Sequence, residues 1–168
     1  RKQSSILTSC DYNFCSTLRN YGYLDKSKEP PTKVLESIPE EFKPYWFRGF
    51  FEADGCIGIG KQSTGNFLSF RAEFYGPIDY DWNFLCDFLN DHHISYKISK
   101  RVRKSGSSSL VTISKIKDIS KLGSVLYGKN DFSLKRKSDK FIIVNDYIES
   151  NKKQKFTIDY FLKLGQPA

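Results

Sequence analysis

Residues 40–55 gather Phe42, Trp46, Phe47, Phe50 and Phe51 at near-helical spacing and then end on Glu52-Ala53-Asp54-Gly55. Such a run folds as a helix with an aromatic face to bury, halted at Gly55. Ser37-Ile38-Pro39-Glu40 reads as its start, with serine as cap and glutamate three residues on. Pro44 sits awkwardly in that frame, because proline beyond the first turn removes a backbone bond, so the regular helix has Pro44 as an alternative start. Acids near a helix C-terminus face the negative end of the macrodipole, an adverse effect of roughly 0.3–1 kcal/mol each. Glu52 and Asp54 both fall there, so a positive partner is expected, and a metal ion is the first reading. Gly49 and Ala53, four residues apart, leave one helix face small enough for a second backbone to approach. If that second helix is identical, two Asp54 carboxylates converge.

Beyond the helix the chemistry alternates. Cys56–Gly60 and Phe67–Tyr75 read as strands about the turn Ser63-Thr64-Gly65-Asn66. In the second strand Leu68, Phe70, Ala72 and Phe74 make a core face, while Ser69, Arg71, Glu73 and Tyr75 make a polar one. A helix is expected over Pro77–Leu89, with Ile78, Trp82, Leu85, Phe88 and Leu89 inward. A second hairpin follows: Tyr96–Arg103, a turn at Lys104-Ser105-Gly106-Ser107, and Ser109–Ser114. Its first strand is expected to turn Tyr96, Ile98 and Val102 inward and Lys97, Ser99, Arg101 and Arg103 outward, with Lys100 as an exception. A helix over Lys115–Tyr127 completes an α-β-β-α-β-β-α pattern, and a further helix over Ser138–Ile148 closes an α+β domain at residues 37–148.

The run Phe47-Arg48-Gly49-Phe50-Phe51-Glu52-Ala53-Asp54-Gly55 resembles the motif of the LAGLIDADG homing endonucleases, in the variant that reads F-x-R-G-x-F-D-x-D-G. Glycine, acid, small residue, acid and glycine keep their order, and apolar strand residues follow. The resemblance implies a concave antiparallel sheet straddling the DNA major groove, which admits a β-ribbon. It implies a motif helix packed on a second copy through Gly49, Phe50 and Ala53, supplied by a homodimer or by another chain. It also implies Mg²⁺, or another divalent cation, held by the Asp54 carboxylate and the Ala53 backbone carbonyl. A lysine from Phe132-Ser133-Leu134-Lys135-Arg136-Lys137-Ser138 would serve the scissile phosphate, Lys135 first and Lys137 second. The family's polar helper at the end of the second strand lands near Gly76, which cannot serve, leaving Glu73, Tyr75 or solvent in its place. Contacts to double-stranded DNA would come from Ser69, Arg71, Glu73, Tyr75, Lys97, Ser99, Arg101, Arg103 and Lys104. A non-catalytic DNA- or RNA-binding module on the same scaffold, such as an intron maturase or a regulator, is the alternative.

Composition is consistent with this. Among 168 residues, 39% are hydrophobic and 15% aromatic, enough for a folded core, and the net charge of +8 suits a polyanionic partner. No apolar run approaches the ~20 residues of a membrane-spanning helix, which leaves nucleic acid ahead of a membrane surface. Cys10, Cys15, Cys56 and Cys86 show no zinc-knuckle spacing, pointing to a reducing intracellular compartment, and adjacent His92 and His93 read as surface or cap residues. Methionine is missing even at position 1, the mark of a fragment, a processed product or an engineered chain. Residues 1–36 carry an echo: Ser5–Ser9 resembles Leu110–Ser114, and Lys26-Ser27 resembles Lys137-Ser138, as in the tail of a preceding repeat. Residues 149–168 read as a basic linker and a short helix over Phe156–Leu164.

Overall fold

The computed structural model describes residues 11–21, 29–61, 68–103, 106–128 and 134–153, with the side chains of residues 103 and 151–153 undescribed. Helices α1 (Tyr12–Asn20) and α2 (Thr32–Ser37) precede a 3-10 turn at Glu40–Phe42 and helix α3 (Lys43–Asp54). Then come β1 (Gly55–Lys61), β2 (Leu68–Gly76), α4 (Asn83–Asp91), β3 (Lys97–Arg103), β4 (Gly106–Ile113), α5 (Ile116–Tyr127) and α6 (Lys135–Lys153). From α3 to α5 the order is αββαββα. The echo at residues 5–9, Lys26-Ser27, the turn at residues 63–66, Lys104 and the segment 156–164 all lie outside the described residues.

The four strands form one antiparallel sheet in the order β1-β2-β4-β3, two hairpins joined through the β2–β4 pair. On the inner face the register stacks Ile57 on Ala72 and Ala72 on Ile113, then Phe74 on Val111, and all five are buried. Phe47, Phe51, Phe88, Leu122 and Phe141 cover this face, with the Phe47 and Phe88 rings stacked at 3.8 Å and Phe51 edge-on to Phe74 at 5.0 Å. Core side chains of this kind contribute about 1.5–3 kcal/mol each when fully buried. Of the aromatic repeat read from the sequence, Phe47 and Phe51 are buried in this core and Trp46 and Phe50 pack against it partly buried, while Phe42 is exposed.

The structure corrects four local expectations. Ser37 does not cap α3; it ends α2 and its hydroxyl donates to the Val34 carbonyl at 2.8 Å. Two prolines explain this: Pro39 heads the 3-10 turn, and α3 begins at Lys43 with Pro44 in its first turn, where a missing N–H costs nothing. Helix α4 begins at Asn83, not Pro77, because Pro77–Tyr80 forms a turn closed by the Tyr80 N–H to the Pro77 carbonyl at 3.1 Å, and Asp81 accepts the Asn83 N–H. On β3, Ile98 and Val102 have the inward parity but are 46% and 79% exposed. This edge strand overhangs the helical layer, and Lys100, on the same side, pairs with Asp79 at 2.6 Å. Finally, α6 starts at Lys135, three residues before the expected Ser138.

Candidate active site and nucleic-acid interface

Asp54 is the last residue of α3 and is exposed. The chain passes straight into β1 at Gly55, whose φ of −84° is ordinary for any residue. Glycine is needed there for space: a Cβ would lie 2.3 Å from Phe51 Cδ2 and 2.5 Å from the Phe51 carbonyl oxygen. The tight helix-to-strand junction thus puts Asp54 at the head of the sheet.

The positive partner expected at this helix end is Lys137. Its ammonium is buried and donates to three carbonyls: Phe51 at 2.5 Å, Glu52 at 2.7 Å and Gly55 at 2.6 Å. Helix C-termini leave carbonyls without intrahelical partners and carry partial negative charge, so a cation here answers both. Burial pushes the Lys137 pKa below the usual lysine value, and Arg136 adds to this, while Cys56, Glu52 and Asp54 pull the other way. The tie is reciprocal, since the Glu52 carboxylate accepts the Leu134 N–H at 2.7 Å just ahead of α6. Lys140 adds a bond to the Ile57 carbonyl at 3.0 Å.

All three ammonium donors of Lys137 are therefore engaged. Lys135, the other phosphate candidate, is exposed at the first residue of α6, beside exposed Arg136. Among the described residues no group of three or more His, Cys, Asp and Glu could hold a metal ion by itself. What one chain offers is the Asp54 carboxylate and the Ala53 carbonyl, hard oxygen donors of the kind Mg²⁺ takes along with phosphate oxygens.

The side of α3 away from the core is open. Phe42, Tyr45, Gly49 and Ala53 follow one another at three- and four-residue steps and are all exposed, Phe42 at 52% and Tyr45 at 43%. Among the described residues, nothing outside its own helix backbone lies within 4 Å of where a Gly49 Cβ would sit. Phe50, also assigned to the interface from sequence, is half-buried and stacks inward on Trp46 and Phe74.

On the polar face of the sheet, β1 contributes Cys56, Gly58 and Gly60 opposite Glu73, Arg71 and Ser69 of β2. The glycines leave the floor bare; the nearest atom to a Gly58 Cβ is Arg71 Nε at 3.9 Å. The Ser69 hydroxyl donates back to the Gly60 carbonyl at 3.3 Å. Arg71 and Lys97 are exposed, whereas Glu73 is buried and tied to Tyr75 and Arg101. Ser99 lies on the same face beside Leu110, which is outward by register yet fully buried. Arg103 closes β3, and its side chain, like Lys104, lies outside the description.

Gly76 is glycine because two rings occupy the place of its side chain: a Cβ would meet Trp82 Cζ2 at 2.8 Å and Tyr80 Cδ1 at 2.9 Å. Tyr80 is a neighbour that the sequence reading missed. Its pKa is raised by burial and then by the nearby charge of Asp54. No periodic or motif signal marked it, since it sits in a turn assigned to helix.

The arrangement is the LAGLIDADG homing endonuclease fold. Against the I-SmaMI structure carrying a lysine-to-alanine substitution the TM-score is 0.55 at 13% identity, over 92% of this chain and 51% of that one. An archaeal intron-encoded homing endonuclease complexed with DNA gives 0.50 at 17%, over 68% of this chain and 72% of that one. The LAGLIDADG homing endonuclease I-LtrWI bound to target DNA gives 0.50 at 18%, over 68% and 39%. The chain thus spans about half of I-SmaMI and less of I-LtrWI. No protein-family model and no curated protein sequence matches it.

Proposed function

We propose that this chain is one half of a site-specific double-stranded DNA endonuclease of the homing type. The observation that carries this reading is the exposed Asp54 carboxylate at the end of a helix whose other face, Gly49 and Ala53, is open and small. One such acid serves one strand. A second α3, from another copy or from a companion chain, brings the acid for the other strand when the helices pack along this stripe. Among the described residues no helix is long and apolar enough to cross a membrane.

Asp54 and the Ala53 carbonyl would hold Mg²⁺ or another divalent cation, which when bound supplies charge neutralisation and an activated water. Lys137 keeps the helix end closed so that Asp54 stays at the sheet. Lys135 and Arg136, exposed at the start of α6, are the cations open to the scissile phosphate. Arg71, Lys97, Ser99, Arg101 and Arg103 would contact the duplex, with arginine on guanine edges as the most specific contact. Ser69 is held to its own sheet and Tyr75 to Glu73, so both shape the face more than they reach from it.

The test is metal-dependent cleavage with Asp54→Asn alongside the wild type. Cleavage is lost and duplex binding kept; an equal loss of binding would remove the metal-ligand role. A non-catalytic DNA- or RNA-binding module on the same fold is favoured by one observation, the rings of Tyr80 and Trp82 where the family's polar helper would stand. Salt-sensitive binding without cleavage in Mg²⁺ or Mn²⁺ would establish that reading instead.

A further inference from the structure

Among the outward residues of β2 and β3 with described side chains, Glu73 is the single acid, and it is only 5% exposed. A carboxylate turned toward a polyanion works against binding unless its charge is used. Here its Oε2 accepts the Tyr75 hydroxyl at 2.5 Å, its Oε1 accepts Arg101 Nη2 at 3.1 Å, and Arg71 Nε stands 3.9 Å from Oε1. Arg101 comes from two strands away. It pairs with Ser108, two residues along β4 from Leu110, and Leu110 in turn faces Tyr75. The guanidinium therefore spans β4 to reach Glu73, in keeping with Leu110 being fully buried on a face that is otherwise polar.

Guanidinium carries five N–H donors in a rigid plane, so the hydrogen bond from Nη2 to the carboxylate restrains the plane while using one donor of the five. We propose that Glu73 is a positioning residue for sequence readout and not itself a base contact: it presets Arg101 as a fork for the O6 and N7 edge of a guanine. Tyr75 occupies the second carboxylate oxygen and stops Glu73 from turning away. Released from Glu73, Arg101 is free to settle on any phosphate, which strengthens binding without regard to sequence. This rests on the DNA-binding reading above.

The experiment selects a randomised duplex DNA library on the full chain at fixed salt and sequences what is bound, for wild type, Glu73→Gln, Arg101→Lys and Arg101→Ala. The wild type selects a guanine at one position that Arg101→Ala loses. Glu73→Gln and Arg101→Lys each reduce that preference about tenfold at the same position and leave the others unchanged. Glu73→Gln also binds unselected duplex more tightly, with a salt dependence steeper by about one ion. Preference retained in Glu73→Gln, or lost evenly at every position as a merely structural role would give, overturns the proposal. Should Glu73→Gln not fold, Arg101→Lys decides, since that part-exposed residue keeps its charge and loses only the fork; an unaltered consensus overturns the inference. Salt-sensitive binding by the wild type with no guanine selected sinks this proposal alone. A wild type that binds no duplex sinks the DNA-binding reading, and this proposal with it.

Discussion

The Lys137 ammonium lies 2.6 Å from the Gly55 carbonyl oxygen, one residue past Asp54, and completes its shell on Phe51 and Glu52. A side chain of α6 thereby finishes the helix that bears the candidate catalytic acid. Lys137→Met leaves those acceptors without their cation and is expected to lower stability by about 3 kcal/mol in urea denaturation, as for charged hydrogen bonds lost from a buried site. Lys137→Arg should not restore it, because a planar fork cannot converge on three carbonyls as an ammonium does. Equal stability of wild type and Lys137→Met would contradict the closure.

Gly55→Ala and Gly58→Ala should part company. At Gly55 the added carbon meets the Phe51 ring and carbonyl below 3 Å; at Gly58 the nearest atom is 3.9 Å away. The first is expected to cost about 2–3 kcal/mol through forced repacking, the second less than about 1 kcal/mol. Thermal melts of the two variants check this.

Much of this site was legible in the chain and part of it was not. Asp54 and Gly55 stand out because an acid before a strand-entering glycine conflicts with helix electrostatics, and Leu68 to Tyr75 show their two faces by strict alternation. The acids at this helix end point to a metal as their cation, yet Lys137, 83 positions along the chain from Asp54, takes much of that place; spacing carries no sign of so distant a tie. Ile98 and Val102 alternate as core residues do, but alternation reports parity and not whether a helix covers the edge strand. The glycine at position 76 reads as a vacancy in sequence, whereas in space it is filled by Trp82 and Tyr80.

Gly49 sits mid-helix with no described residue crowding the place of a Cβ, so Gly49→Ala should stabilise the isolated chain by up to about 1 kcal/mol. If α3 is the surface where two helices meet, the bulkier Gly49→Leu weakens self-association in sedimentation while leaving the fold intact. Unchanged association in a chain that does self-associate would move the interface elsewhere.

Tyr75, Tyr80 and Tyr127 have pKa values raised mainly by burial, with added contributions from Glu73, Asp54 and Glu52 respectively. A group whose folded pKa exceeds its unfolded value stabilises the fold below the unfolded pKa, here about 10, and that stability is lost as pH climbs through the folded values. Ultraviolet titration of the native chain should show a late-ionising fraction, reduced by Tyr75→Phe, and the urea midpoint should fall once pH passes 10. Tyrosines that all ionise together near 10 would contradict the part-buried Tyr75–Glu73 contact.

The most direct measurement incubates the chain with a randomised duplex library and Mg²⁺, sequences the cleaved ends, and repeats this with Asp54→Asn and with an equal mixture of both proteins. The wild type is expected to cut both strands at a fixed offset, Asp54→Asn to cut neither, and the mixture to add single-strand nicks if two copies share the site. Cleavage that survives Asp54→Asn, or duplex binding by the wild type with no cut in any divalent metal, would contradict the endonuclease reading.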